Sequence, residues 1–286
     1  MSEQWALFDG QVVPAAEARV SAFDRTLLYG LGAFETVRLF EGRAFLLDRH
    51  VERLHASLGA VGLAVPPFVN DLAQQLADLA ERAQQPNALC RITVTAGDAG
   101  AGVNDMHVIA QLRAAPEPRG SRRMEVGLVD FAHDLRSPLA GVKSTNYLIH
   151  YMLREAAEAA GRLDDLMVEP EGGITEATVA NVFFVFDGEL VTPALEGSIL
   201  PGVTRAHVLE LAQRLELPVR ERRVHRDELP TASEAFLTGS GKGLVDLDVL
   251  AGRTLPTERP HSLALADALA RSVEQHCALP AGSVRF

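Results

Sequence analysis

The chain has 286 residues, 47% of them hydrophobic, which at about 150 residues per domain fills two cores and excludes disordered, collagen-like and coiled-coil readings. Its 27 basic and 38 acidic residues leave a net charge of −11 with no basic cluster, so nucleic acid and anionic membrane are poor partners. The start, Met1-Ser2-Glu3-Gln4, has no basic or apolar leader pattern, and the longest apolar stretch, near Val179 to Phe186, is too short to span a bilayer; a soluble cytoplasmic protein is expected. Cys90 and Cys277 stand alone, without CxxC spacing or a histidine at metal distance, which argues against a disulfide framework, structural zinc or any other metal site.

In chain order, Trp5 to Val13 reads as a hairpin turned at Asp9-Gly10, and Glu35 to Leu47 as a second turned at Glu41-Gly42. Asp48 is placed to cap a helix with Val51, Leu54, His55 and Leu58 on one face, and Phe68 to Ala83 repeats the helical period through Leu72, Leu76 and Leu79. Strands follow at Leu89 to Thr95 and Met106 to Leu112, around the glycine-rich loop Gly97 to Gly102. The run Pro116-Glu117-Pro118-Arg119-Gly120-Ser121 marks a boundary: a small α/β domain over 1–115, a linker over 116–122, and a larger domain over 123–286.

The second half predicts a strand at Met124 to Val129, a loop ending at Lys143, and a helix from Asn146 to about Ala160 closed by Gly161. Strands are expected at Leu163 to Val168 and Val182 to Phe186, the latter turned at Asp187-Gly188, and then a helix from Val203 to Leu215. Glu234 to Thr238 and Leu244 to Leu250 flank a second glycine loop, Gly239 to Gly243, and Ser262 to His276 closes as a helix.

Of the 27 basic residues only Lys143 and Lys242 are lysine, which leaves 25 arginines. Arginine holds a charge but cannot shed its proton near neutral pH to form an imine, whereas lysine can. Lys143 precedes a helix after an apolar-proline segment, where a side chain is presented to a cleft. Glu176 sits in a mostly apolar stretch, where a carboxylate is costly unless paired; either it is exposed at a strand end, or it meets a cation such as a protonated pyridine nitrogen. Pro201-Gly202-Val203-Thr204 opens a helix whose free N–H groups form an anion site, and the Gly239 to Gly243 loop adds backbone donors and Ser240. That loop is no P-loop, because Phe236 stands where its first glycine belongs and Gly243 replaces the required Ser/Thr.

These residues fall into a long pattern: Glu176-x-Thr178-x-x-Asn181-Val182-Phe183, Leu190-x-Thr192, Leu200-x-Gly202-Val203-x-Arg205, together with Phe34-Glu35-Thr36-Val37-Arg38, His50, Arg53-Leu54 and Lys143-x-x-Asn146. The chain resembles the class IV aminotransferases, the fold-type IV pyridoxal-phosphate enzymes, over nearly its whole length. The resemblance implies a two-domain α+β or α/β fold with pyridoxal 5′-phosphate (PLP) between the domains, a small-molecule amino substrate and a homodimer. It implies Lys143 as the Schiff-base lysine and general acid/base and Glu176 as the partner of the pyridine nitrogen. Arg53, Val203, Thr204, Ser240 and Gly241 are implied as phosphate holders.

Within the family, branched-chain enzymes typically have Phe-Glu-Gly where this chain has Phe34-Glu35-Thr36, and a tyrosine in place of Leu89, although Arg91 and Gly97 to Asn104 look branched-chain-like. The Arg-x-His carboxylate trap of D-amino acid enzymes is absent, which sets that reading last. Phe34-x-Thr36-x-Arg38 and Pro138 to Lys143 with Asn146 resemble the 4-amino-4-deoxychorismate lyases, enzymes of folate biosynthesis that release pyruvate and 4-aminobenzoate. The lyase is therefore the expected activity and an amino-acid transaminase the alternative, with Tyr29, Arg38 and Arg91 expected at the substrate, the arginines as bidentate carboxylate forks.

Overall fold

The computed structural model describes residues 4–100, 105–115, 123–131, 137–196 and 199–286, with the side chains of Phe68 and Asn70 left aside. The expected linker at 116–122 and residues 101–104, which include the end of the first glycine loop, lie outside the described residues. Contacts divide the chain into two compact units.

The first unit comprises Met1–Pro116, Val142–Tyr147 and His276–Ala278. Its hairpins form as expected: β1 (Trp5–Phe8) pairs with β2 (Gln11–Pro14), and β3 (Gly32–Phe40) with β4 (Arg43–Ala44). The short α1 (Arg25–Tyr29) lies between them in sequence, capped at its start by the Asp24 side chain, which accepts from Thr26 N–H. With β5 (Ala88–Thr95) and β6 (Val108–Ala114) the strands build one antiparallel sheet in the order β2-β1-β6-β5-β3-β4. Two amphipathic helices, α2 (Leu47–Ala60) and α3 (Leu72–Arg82), bury Leu54, Leu58, Leu72, Leu76 and Leu79 in a core with Ala33, Val37, Leu39, Cys90, Ile92 and Val94. Asp48 does not cap α2: the cap position is Leu46, whose left-handed backbone (φ 52°) makes the turn from the hairpin, and Asp48 lies within the first turn.

A strand's side chains alternate faces, so this core assignment sorts β3 and β5 completely. Ala33, Glu35, Val37 and Leu39 face the helices; Phe34, Thr36 and Arg38, with Leu89 and Arg91 across the ladder, face the other way. Val142–Tyr147 belongs to this unit and not with the rest of 123–286. Its backbone runs along the edge of β3, with Phe34 N–H donating to Lys143 C=O at 3.0 Å and Thr145 N–H to Gly32 C=O at 2.9 Å.

The second unit comprises Glu117–Gly141, Leu148–Gln275 and Leu279–Phe286. One mixed sheet contains β7 (Glu125–Asp130), β8 (Asp164–Val168), β9 (Gly173–Ala177), β13 (Val224–His225), β16 (Val249–Leu250) and β17 (Arg253–Thr254), in the order β13-β9-β8-β7-β16-β17. A second contains β10 (Asn181–Phe186), β11 (Glu189–Thr192), β12 (Val219–Glu221), β14 (Glu234–Gly239) and β15 (Gly243–Asp246), in the order β12-β11-β10-β14-β15. The two sheets share a core of Val126, Leu166, Val168 and Ile174 with Val182, Phe184, Val191 and Leu237. Helix α4 (Leu148–Ala159) packs on β8, α5 (Val203–Arg214) on β14, and α6 (Pro260–His276) is tied to Glu234 through His261 and Ser262.

Three expectations are corrected here. The helix expected from Asn146 starts at Leu148, because Thr145 and Tyr147 are held by the β3 edge and by a local turn. The single strand expected over Leu244 to Leu250 is two, β15 and β16, in different sheets. The apolar stretch around Glu176 holds a full strand, β9, buried at every position. Both thiols are buried, and burial pushes the Cys90 thiol up to about 12 and the Cys277 thiol upward, with Arg43 opposing at Cys277. Native protein should therefore leave both cysteines unreacted with Ellman's reagent over minutes, and two should titrate once the chain is denatured.

Candidate active site

In the first unit, side chains from β3, β5 and the Lys143 segment gather on Phe34. Lys143 Nζ lies 4.7 Å from the centre of that ring and Arg91 Cζ 3.6 Å from it, while Tyr147 meets it edge-on at 5.2 Å. Arg38 shares the face, half-buried over Phe40 at 5.1 Å. Burial pulls both guanidinium pKa values down, with the Tyr147 charge opposing this at Arg91. No carboxylate among the described residues pairs with Arg91. Two cations on one ring, one without a counter-ion, make a surface suited to an anionic ligand.

Tyr29 is at the end of α1 and 74% exposed, apart from this group. Its neighbour Gly30 adopts φ 70°, which any side chain would strain, and accepts a 2.6 Å hydrogen bond from Thr145 Oγ through its carbonyl. Lys143 is held by its backbone: besides the bond to Phe34, its N–H donates to Ser57 Oγ of α2 at 3.3 Å.

Arg53, on the same face of α2, meets Glu35 in a fork: Nε donates to Oε1 at 2.7 Å and Nη2 to Oε2 at 2.8 Å. His50 Nδ1 lies 2.8 Å from Oε2. Burial alone would raise the Glu35 carboxyl, but the hydrogen bonds and charges of Arg53 and His50 hold it down at about 2.

In the second unit Glu176 is only 6% exposed, which removes the reading of a strand-end charge. Its Oε2 accepts from Asn181 Nδ2 at 3.0 Å and its Oε1 from the Leu200 N–H at 3.1 Å. The same Asn181 amide donates to Leu200 C=O at 3.0 Å, so one side chain clips the start of α5 to β9 and β10. Gly202, the cap residue of α5, has no side chain to cap it, and a Cβ built there overlaps Asn181 Oδ1. Ala206 is the first residue whose N–H reaches back along the helix, to Gly202 C=O, so the N–H groups of Val203 and Thr204 point off its end.

Across the ladder Asn181 faces Thr238, whose Oγ is buried with no hydrogen-bond partner. Ser240, Gly241 and Lys242 form a three-residue loop directly after it, closed by the Gly239–Gly243 pair, with Lys242 exposed on the rim. Asn181 and Thr238 were not expected at the site. Asn181 was present in the sequence pattern, but Thr238 carries no signal other than its place beside the glycine loop.

The family model described as amino-transferase class IV matches residues 32–248, and the chain belongs to that family. A D-alanine aminotransferase from Bacillus licheniformis is 28% identical over 90% of this chain and 92% of its own length. An aminodeoxychorismate lyase from Bacillus subtilis is likewise 28% identical, over 81% and 82%. The solved branched-chain aminotransferase from Thermoproteus uzoniensis with norvaline superposes with a TM-score of 0.85 at 25% identity, covering 97% of this chain and 98% of that one. The fold is thus that of the fold-type IV enzymes, α+β, and the family's cofactor is PLP.

The residues fit that group. An unpartnered buried hydroxyl, an uncapped helix start and a cradle that a Cβ would fill lie on one face of β10 and β14, as a phosphate requires. A Gly202→Ala protein should fold, since φ there is −67°, but with Asn181 displaced it should lose about tenfold in PLP affinity, the order of one charge-assisted hydrogen bond, as read by absorbance titration.

Proposed function

We propose that the protein is a PLP-dependent 4-amino-4-deoxychorismate lyase. The observation that supports this reading is the pair of half-buried guanidinium groups, Arg38 and Arg91, on the sheet face that also bears Lys143, since aminodeoxychorismate carries two carboxylates. When bound, PLP supplies an electron sink conjugated to the reacting carbon of the substrate.

In this reading Lys143 would hold the cofactor through its amine, and the same amine would take the proton from C4 of the substrate ring. The enolpyruvyl C–O bond then breaks at C3, pyruvate leaves as its enol, the ring aromatises and 4-aminobenzoate is released. No oxo-acid acceptor is consumed. Glu176, its orientation fixed by Asn181 and Leu200, would accept the pyridine N–H and keep the proton there. Arg53, Val203, Thr204, Ser240 and Gly241 hold the phosphate. Tyr29 is assigned to the substrate on the family pattern, although its side chain is solvent-facing in the single chain.

The second reading is an amino-acid transaminase, branched-chain first and D-amino acid next, favoured by the coverage of the Thermoproteus enzyme and by the Bacillus licheniformis relative. The test is to supply aminodeoxychorismate without any oxo acid and measure 4-aminobenzoate and pyruvate. Equal yields of both support the lyase. Amino transfer from L-leucine, L-glutamate or D-alanine to an oxo acid, with no 4-aminobenzoate formed, replaces it by the transaminase. Lys143→Ala should abolish turnover and Lys242→Ala retain most of it, while Glu176→Gln should keep the cofactor and slow proton removal by about a hundredfold or more. Arg91→Ala should raise KM for the dicarboxylate by about ten- to a hundredfold.

A cytoplasmic homodimer belongs to the same reading. Phe23, Leu27, Leu28 and Tyr29 on or beside α1, and Leu148, Ile149, Tyr151 and Met152 at the start of α4, are apolar and solvent-facing in the single chain. Among the described residues no helix is long and apolar enough to cross a membrane. Light scattering should give twice the chain mass of 30.8 kDa, and Leu28→Arg should shift it toward the monomer.

A further inference from the structure

Glu35 is a buried carboxylate that the proposed reaction does not use. It sits among Ala33, Val37 and Leu39 on the helix-facing side of β3, 1% exposed, where a charge is tolerated only if it is answered. Two groups from one face of α2 answer it, His50 and, three residues on, Arg53. We infer that Glu35 is a positioning residue for phosphate: it fixes the plane of the Arg53 guanidinium so that the edge opposite the carboxylate is presented to the cofactor's phosphate. The inference rests on the reading of Arg53 as a phosphate holder.

The geometry supports this in three steps. A guanidinium is planar, and two near-parallel bonds through Nε and Nη2 leave it no freedom to rotate out of the carboxylate plane. Nη1 and the second hydrogen of Nη2 are therefore directed together, away from Glu35, as a second fork of the kind that phosphate accepts. The helix that supplies Arg53 also receives the Lys143 N–H on Ser57, one turn further on, so the same rigid element sets the positions of both the phosphate fork and the lysine.

Charge alone predicts the opposite sign. Burial lowers the His50 pKa, so the cluster at neutral pH is one carboxylate and one guanidinium with no net charge. If attraction to phosphate were all that mattered, removing the carboxylate would tighten binding. If orientation matters more, removing it weakens binding, because the ligand must then order a flexible arginine. In Glu35→Gln one amide N–H₂ would face the guanidinium donors and turn the fork aside.

The experiment titrates the full chain with PLP and, separately, with pyridoxal, which lacks the phosphate. Arg53→Ala should reduce the preference for PLP over pyridoxal by about a hundredfold and Glu35→Gln by about tenfold, with pyridoxal affinity held within about twofold. Glu35→Asp, which keeps the charge but withdraws it by one methylene, should also lose preference, and it serves as the test if the glutamine variant does not fold. Tighter or unchanged PLP binding in Glu35→Gln overturns the inference, as does an equal loss for both ligands in both Glu35 variants. An Arg53→Ala protein with undiminished preference instead overturns the reading of Arg53, and the inference with it.

Discussion

The backbone pairing of the Lys143 segment to the edge of β3 is the constraint on which the first unit's share of the site depends. Two hydrogen bonds, Phe34 to Lys143 and Thr145 to Gly32, place a segment distant in sequence in register with a strand whose faces are already sorted by the helix-packed core. Once that register is set, Lys143, Tyr147 and Arg91 must meet on Phe34, and Arg38 must share their face. A slip of one residue in that pairing would turn the Lys143 side chain to the opposite face of β3, away from Phe34 and Arg91. Lys143 is thus positioned through its backbone, by strand pairing and by the bond to Ser57.

The two buried carboxylates illustrate how environment separates roles. Glu35 is met by a guanidinium fork and an imidazole, which hold its pKa near 2, so its charge contribution to stability is present above about pH 4.5 and is lost only as pH falls toward 2. Glu176 accepts from Asn181 Nδ2 and from the Leu200 backbone N–H, both neutral donors. A neutral donor orients a carboxylate without neutralising it, whereas a guanidinium fork does both.

Much of this was legible in the sequence for physical reasons that differ from element to element. Hairpins at Asp9-Gly10 and Glu41-Gly42, and helices with leucines at helical spacing, are local, so pattern suffices. Glu176 and Lys143 announced themselves as residue types that are costly or rare in their settings. What failed was non-local: β9 is an interior strand, buried throughout and without alternation, and the start of α4 is decided by a strand edge more than a hundred residues earlier. Leu46 takes the cap position that Asp48 was expected to fill because the hairpin exit requires a left-handed turn at that residue, whatever its propensity. Glu35 as an anchor could have been read from alternation, as the one carboxylate on an otherwise apolar strand face.

Cofactor and substrate are specified by different surfaces, and this explains why family membership decides one and not the other. In the proposed reading the lysine, the carboxylate and the phosphate donors lie on α2, on the β3 edge segment, on β9, at the start of α5 and in the loop after β14, within the stretch that the family model matches. The residues proposed to meet the substrate lie on the outward face of β3 and β5, where side chains can change without disturbing the core behind them. Exchanging Thr36, Arg38, Leu89 or Arg91 alters charge and shape on that face while leaving Ala33, Val37, Cys90 and Ile92 to hold the sheet. A lyase and two kinds of transaminase can therefore stand at similar identity to this chain, and the two guanidinium groups on that one face, rather than overall similarity, are the feature that favours a dicarboxylate.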